Sequence, residues 1–267
     1  MEEISSIKHE AFRYAQNLIK PSGREESGRY LVESVNFVRQ ALDSETLVEM
    51  VFASPEESLN LRSQCSERGT RLYTLRPGLM QKLVGTGYET AVTAIAVVGK
   101  RLLTEESFLQ ERKGFYLVCE SIQDPRNVGV LVRTAEAAGC DALLLSADSA
   151  EPFSRAAVRS TTGSILRLPL CVTPDLVGVL KRFGESGGGV VASSARADQV
   201  VYSADLSRHP LALVVGNETH GITSALRDVA TDFVALPMSP KGASSLNVTV
   251  AAGVLLYEAV RQRLATP

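Results

Sequence analysis

Three short polar segments hold most of the side chains in this chain that could do chemistry. They are Gln123–Gly129 (QDPRNVG) with Arg133 beyond it, Gly216–Gly221 (GNETHG), and Ser239–Asn247 (SPKGASSLN). Arg133 offers a rigid guanidinium fork suited to a phosphate or a reacting hydroxyl. Its plainer reading is an exposed partner for Glu136 at i+3, worth about a few tenths of a kcal/mol. Glu218 is a carboxylate that could equally cap the helix starting near Thr223, and Asn127 could stabilise its own turn. Ser244 or Ser245 stands where an N-cap hydroxyl would accept a backbone N–H. Asn247 then falls in the first helical turn, where free N–H groups and a positive dipole end favour a polar or anionic ligand.

Other chemistries fail on residue types and spacing. Gly85-Thr86-Gly87 lacks the third glycine of a dinucleotide fingerprint, no GxxxxGK[ST] phosphate loop occurs, and Gly242-Ala243-Ser244-Ser245-Leu246 is not GxSxG. His9, His209 and His220 lie far apart with no metal-ligand spacing, so no metal is expected. Cys65, Cys119, Cys140 and Cys171 are scattered without a CxxC pair, which suits a reducing cytoplasm. The first residues have no apolar signal core, and no run approaches the roughly 18 apolar residues of a spanning helix, so a cytoplasmic location is expected.

Positioning these residues requires a sizeable fold. The 267 residues, 45% hydrophobic and 22% charged, suit one large or two ordinary globular domains. A net charge of −2, with acids and bases balanced in both halves, does not advertise a nucleic-acid partner. Arg155, Arg159 and Arg167 form a short basic segment that reads most simply as solvated surface.

Residues 1–99 alternate helical and strand-like patterns, as expected of a small α/β unit. Residues 100–113 carry seven charged side chains in fourteen positions and read as a helical linker. From 114 to 267 the theme is strand, polar loop, helix. Strands are expected at Phe115–Ser121, Ala142–Leu145, Ile165–Leu170, Val190–Ser193, Leu211–Val215 and Phe233–Met238, with helices at Val128–Ala138, Asp175–Phe183 and Thr223–Val229, and a final helix capped by Ser244 or Ser245. Ala251, Ala252 and Gly253 leave room for another backbone to approach the last helix. Such alternation predicts a parallel sheet with a ligand crevice beyond the carboxyl ends of its strands, where the three polar segments would meet.

Taken together, those segments resemble the three motifs of the SpoU (TrmH-like) class of SPOUT RNA methyltransferases. The first is NVGVLVRTAEAAG, Asn127 to Gly139; the second is LALVVGNETHG, Leu211 to Gly221; the third is LPMSPKGASSLNVTVAA, with Thr249 in place of the family's usual Ser. The resemblance implies an α/β fold whose C-terminal SPOUT domain has a parallel sheet and a deep trefoil knot, although threaded chains are rare. It also implies an N-terminal α/β substrate-binding domain resembling small ribosomal proteins, loosely supported by YLVES (Tyr30–Ser34, with Ser34 for the common Gly) and TGYETAVTAIAVV. The implied reaction is 2′-O-ribose methylation of RNA, most simply ribosomal RNA, with S-adenosylmethionine as methyl donor. Gly216, Leu236 and Leu246 would line the donor pocket, with Met238 and Ser193 nearby. Arg133 would act on the ribose hydroxyl, and Asn127, Glu218, Ser245 and Asn247 would hold arginine and ribose in register. The family is dimeric, with a neighbouring subunit completing the site. Transfer-RNA methylation and a catalytically silent RNA-binding or ribosome-assembly module are the alternatives.

Overall fold

The computed structural model describes residues 2–84, 92–110, 113–239, 241–242 and 245–265. Residues 85–91, which carry the TGYETA stretch, two positions of the 100–113 segment, and Ser244 lie outside that set. The chain divides into two compact units, Met1–Arg101 with Pro152–Arg167, and Leu102–Glu151 with Leu168–Pro267.

The first unit runs β1 (Glu2–Ile4), α1 (Glu10–Asn17), α2 (Pro21–Ser27), β2 (Arg29–Glu33), α3 (Val35–Asp43), β3 (Val48–Ala53), α4 (Pro55–Glu67), β4 (Arg71–Leu75), α5 (Pro77–Val84) and β5 (Ala94–Gly99). Its sheet has the order β1-β4-β3-β5-β2, with β5 antiparallel to both neighbours. Phe12, Phe52, Leu75, Leu83 and Ile95 form one buried cluster. The segment 152–167 belongs here through specific contacts. The Phe153 ring lies 5.1 Å from that of Tyr30, Thr46 Oγ1 donates to Leu166 O at 2.7 Å, and Arg155 pairs with buried Glu33 at 2.6 Å. Arg155 also donates to Val84 O, and Arg167 to Gln40 at 3.2 Å. The basic segment is therefore built into this unit and is not merely solvated surface.

The second unit begins with α6 (Glu105–Gln110), inside the segment expected to link the halves, and continues through β6 (Phe115–Cys119), α7 (Pro125–Ala137) and β7 (Ala142–Ser146). After α8 (Arg155–Ser160), part of the first unit, it resumes at β8 (Leu170–Thr173), α9 (Leu176–Glu185), β9 (Gly189–Ser193), β10 (Leu211–Val215), α10 (Ser224–Val229), β11 (Asp232–Val234) and α11 (Val248–Ala265). All six strands are parallel, in the order β11-β9-β10-β6-β7-β8. The central strands are buried throughout, so they read as continuous apolar runs. Phe108, Tyr116, Val118, Phe183, Val190, Val214 and Leu226 pack α6, α9 and α10 over one face. On the alternate face α7 and α11 pack together.

Local chemistry moved several boundaries. Helix α7 starts at Pro125, three residues before the expected Val128, because proline suits the first helical position and Asp124 caps it, accepting from Arg126 N at 2.8 Å. Residues Ser164–Leu166 form a 3-10 turn, so the strand expected from Ile165 starts only at Leu170. Strand β11 ends at Val234, short of the expected Met238, where β9 also ends and offers no further ladder partner. Helix α11 starts at Val248, so Ser245, expected as a possible cap, stands two positions too early, and Asn247, expected in the first turn, immediately precedes the helix. The approach allowed by the small residues is to α7, where a Cβ on Gly253 would sit 3.7 Å from Thr134 Cγ2, an ordinary contact.

Candidate active site

The polar groups gather where the sheet's strand order reverses, beyond the carboxyl ends of β6, β9 and β10. Just past β6, Glu120 is only 5% exposed, and its carboxylate accepts from Thr223 N at 2.8 Å and Thr223 Oγ1 at 2.6 Å. A buried negative charge at the start of α10 offsets the free N–H groups there and ties the loop before α10 to β6. Glu218 is thereby spared the capping role that its sequence position allowed.

The loop after β10 closes on itself, with Asn217 N donating to Gly221 O at 3.0 Å and Gly221 N to Asn217 O at 2.9 Å. Only glycine fits at 216, because a Cβ there would lie 2.4 Å from the backbone carbon of Gly221. Asn217 Oδ1 accepts from Thr219 N and His220 N at 2.9 and 3.0 Å, while its Nδ2 donates to Ser121 O at 2.9 Å. The sequence reading missed Asn217, although an asparagine opening a turn is a recognisable signal.

Glu218, Asn127 and Asn247 form a hydrogen-bonded chain across all three polar segments. Glu218 Oε1 accepts from Asn127 Nδ2 at 2.9 Å, and Oε2 accepts from Gln123 N at 3.3 Å. Asn247 Nδ2 donates to Asn127 Oδ1 at 3.4 Å. At the other end of the same amide, Asn247 Oδ1 accepts from Thr249 N at 2.8 Å and Thr249 Oγ1 at 2.6 Å, capping α11. Partial burial works to raise the Glu218 pKa, but the bonds from Asn127 and from the backbone amides of Glu218, Gln123 and Asp124 outweigh it. The carboxyl is held below its usual range.

Beside this chain lies a cavity of about 390 Å³ lined by Ser193, Gly216, Glu218, Leu236, Met238, Ser245 and Leu246, among others. Every residue expected to bind a donor is in that wall. Asn127, Asn247 and Arg133 are not. Arg133 is exposed on α7 and has no hydrogen bond or ion pair among the described residues. Arg196 and Arg227, which the sequence reading did not single out, and His220, which it weighed only as a metal ligand, also line the cavity.

Residues 114–257 match the SpoU rRNA Methylase family, which covers more than half of the chain. The chain belongs to that family and is an RNA methyltransferase. It is similar to an uncharacterized tRNA/rRNA methyltransferase of Synechocystis, 30% identical over 98% of this chain and 94% of that one. It also resembles the 23S rRNA guanosine-2′-O-methyltransferase RlmP of Bacillus subtilis, 28% identical over 96% of this chain and 98% of the relative. Among solved structures, the SpoU methyltransferase AviRb of Streptomyces viridochromogenes in complex with AdoMet superposes with a TM-score of 0.83. It is 26% identical and covers 97% of this chain and 100% of its own.

The composition of the cavity fits a nucleoside-type ligand. Leu236, Met238, Leu246 and Ile222 supply apolar walls for a flat ring system, and Ser193 and Ser245 supply hydroxyls at the margin. Arg196 and Arg227 on one hand and Glu218 on the other give both signs of charge, as a zwitterionic amino-acid group requires.

Proposed function

We propose that the second unit transfers the methyl group of S-adenosylmethionine to a ribose 2′-hydroxyl of ribosomal RNA, and that the first unit binds that RNA. The observation that carries this reading is the Asn247–Asn127–Glu218 chain standing beside a cavity of nucleoside size. Bound there through Gly216, Leu236 and Leu246, S-adenosylmethionine supplies an electrophilic methyl group on a sulfonium.

The protein's work is then to align a sugar oxygen with that methyl and to help its proton leave. A ribose hydroxyl is a poor nucleophile until activated. Arg133 lies on the same helix as Asn127, and a guanidinium, which gives up its proton very reluctantly, is a poor base by itself. Its role is to orient the ribose and stabilise charge developing on the oxygen, while the O–C bond forms, the S–C bond breaks and the hydroxyl proton passes to solvent. Asn127, Glu218, Ser245 and Asn247 hold the acceptor in register.

The same reading includes the trefoil knot that the family resemblance implies for the C-terminal segment, and action in the cytoplasm. It also includes a homodimer. Val130 on α7 and Val250 and Tyr257 on α11 are exposed, the last two at 50% and 53%, on helices that pack together. Apolar side chains in that position suit a second copy of the chain.

Mapping 2′-O-methyl marks in total RNA from cells with and without the protein tests the reaction. A mark lost from ribosomal RNA supports it, a mark lost only from transfer RNA moves the substrate, and unchanged marks overturn it in favour of a silent RNA-binding module.

A further inference from the structure

Ser121 has a left-handed backbone, φ 55°, a conformation in which a non-glycine residue is strained. All of its polar atoms are engaged. Its N–H donates to Ser146 Oγ at 2.7 Å, and its carbonyl accepts from Asn217 Nδ2 at 2.9 Å and Gln123 Nε2 at 3.0 Å. Its hydroxyl donates to the Asp148 carboxylate. Gln123 Nε2 also reaches Asp148 O at 3.3 Å, and two residues after Ser121 the backbone N–H of Gln123 bonds Glu218. The turn at 121 thus sets where Gln123 and Asn127 meet the Glu218 carboxylate, and neither Ser121 nor Asp148 lines the donor cavity.

We propose that Ser121 and Asp148 form a positioning pair for methyl transfer. The carboxylate holds the serine in its left-handed turn, and the turn aims Asn127 and Glu218 at the acceptor ribose. This rests on the reaction proposed above. It accounts for a serine standing where glycine would be strain-free, since the Asp148 bond opposes the strain.

A double-mutant cycle separates this from a general structural role, because coupled residues depart from additivity in a definite direction. Four full-length proteins are compared, the wild type, Asp148→Ala, Ser121→Gly and the double variant. Asp148→Ala is expected to lower kcat about tenfold, with KM for RNA and Kd for S-adenosylmethionine within about threefold of wild type. Ser121→Gly, which adopts the turn without help, keeps kcat within about threefold, and adding Asp148→Ala to it changes nothing further. Hydrogen exchange at the amides of residues 122–127 rises in Asp148→Ala alone. Wild-type kcat in Asp148→Ala overturns the proposal, and so does a double variant as slow as Asp148→Ala, or a loss of donor affinity matching the loss of rate. If the wild type methylates no RNA, the reaction assigned above fails, and the exchange pattern across the four proteins still tests the pair.

Discussion

Asn247 does two things with one amide, and the two can be separated. Its oxygen caps α11 and its nitrogen reaches Asn127. Asn247→Asp keeps an acceptor for Thr249 N and is expected to keep stability within about 0.5 kcal/mol while losing most methyl transfer. Asn247→Ala loses both activity and about 1 kcal/mol of stability. Urea unfolding beside turnover measures the difference. For Arg133, exposed and outside the cavity proposed for the donor, Arg133→Ala is expected to abolish transfer while leaving S-adenosylmethionine affinity within about twofold, as read by calorimetry. Normal turnover would return Arg133 to an ordinary surface residue. The depressed pKa of Glu218 fixes a sign with pH. Its ionised, hydrogen-bonded form persists above the usual carboxylate range and is lost only as pH falls through the lowered value. The kcat–pH profile should therefore show no limb from this carboxyl between about pH 5 and 7, and Asn127→Ala should move its acid limb upward.

At the scale of elements, two buried carboxylates each secure a segment whose position sequence patterns leave open. Glu120 caps α10 through Thr223, and Glu33 anchors Arg155 of α8 within the first unit. Glu33 is 7% exposed, and its pKa is raised, because the burial that penalises its charge outweighs the lowering effect of Arg155 and Arg159. Glu33 is the buried partner, while the Arg155 side chain is 38% exposed and keeps part of its hydration, so Glu33→Ala is expected to cost only about 1–2 kcal/mol in chemical denaturation. A cost near zero would show that residues 152–167 are not held by it. The element pattern itself was largely legible, because strands buried on both faces leave unbroken apolar runs such as Phe115–Cys119 and Leu211–Val215. The starts of α7 and α11 were not, since Pro125 with Asp124 and Asn247 with Thr249 act through hydrogen bonds that periodicity does not record.

For the whole molecule, the reading of a dimer makes the exposed side chains of α11 part of function. Val250→Asp together with Tyr257→Asp is expected to turn a dimer into a monomer by light scattering, with methyl transfer lost and the far-ultraviolet circular dichroism unchanged. A wild type that is monomeric at working concentration would reject the dimer. A near-neutral charge, −2 over 267 residues, places any RNA affinity in local arrangements of charge and not in a net basic excess, and the salt dependence of binding would count the phosphates those arrangements contact.

The sequence by itself determined the alternation of strands and helices in the six-stranded unit and, through three short motifs, its family, because apolar periodicity and short motifs are written along the chain. Tertiary structure decided how Glu218, Asn127 and Asn247 share their hydrogen bonds, that Ser121 turns left-handed beside Asp148, and that residues 152–167 pack with the first unit. Those outcomes depend on distances between groups about 90 to 120 positions apart, or on which neighbour offers an acceptor, and no local pattern of residues encodes either.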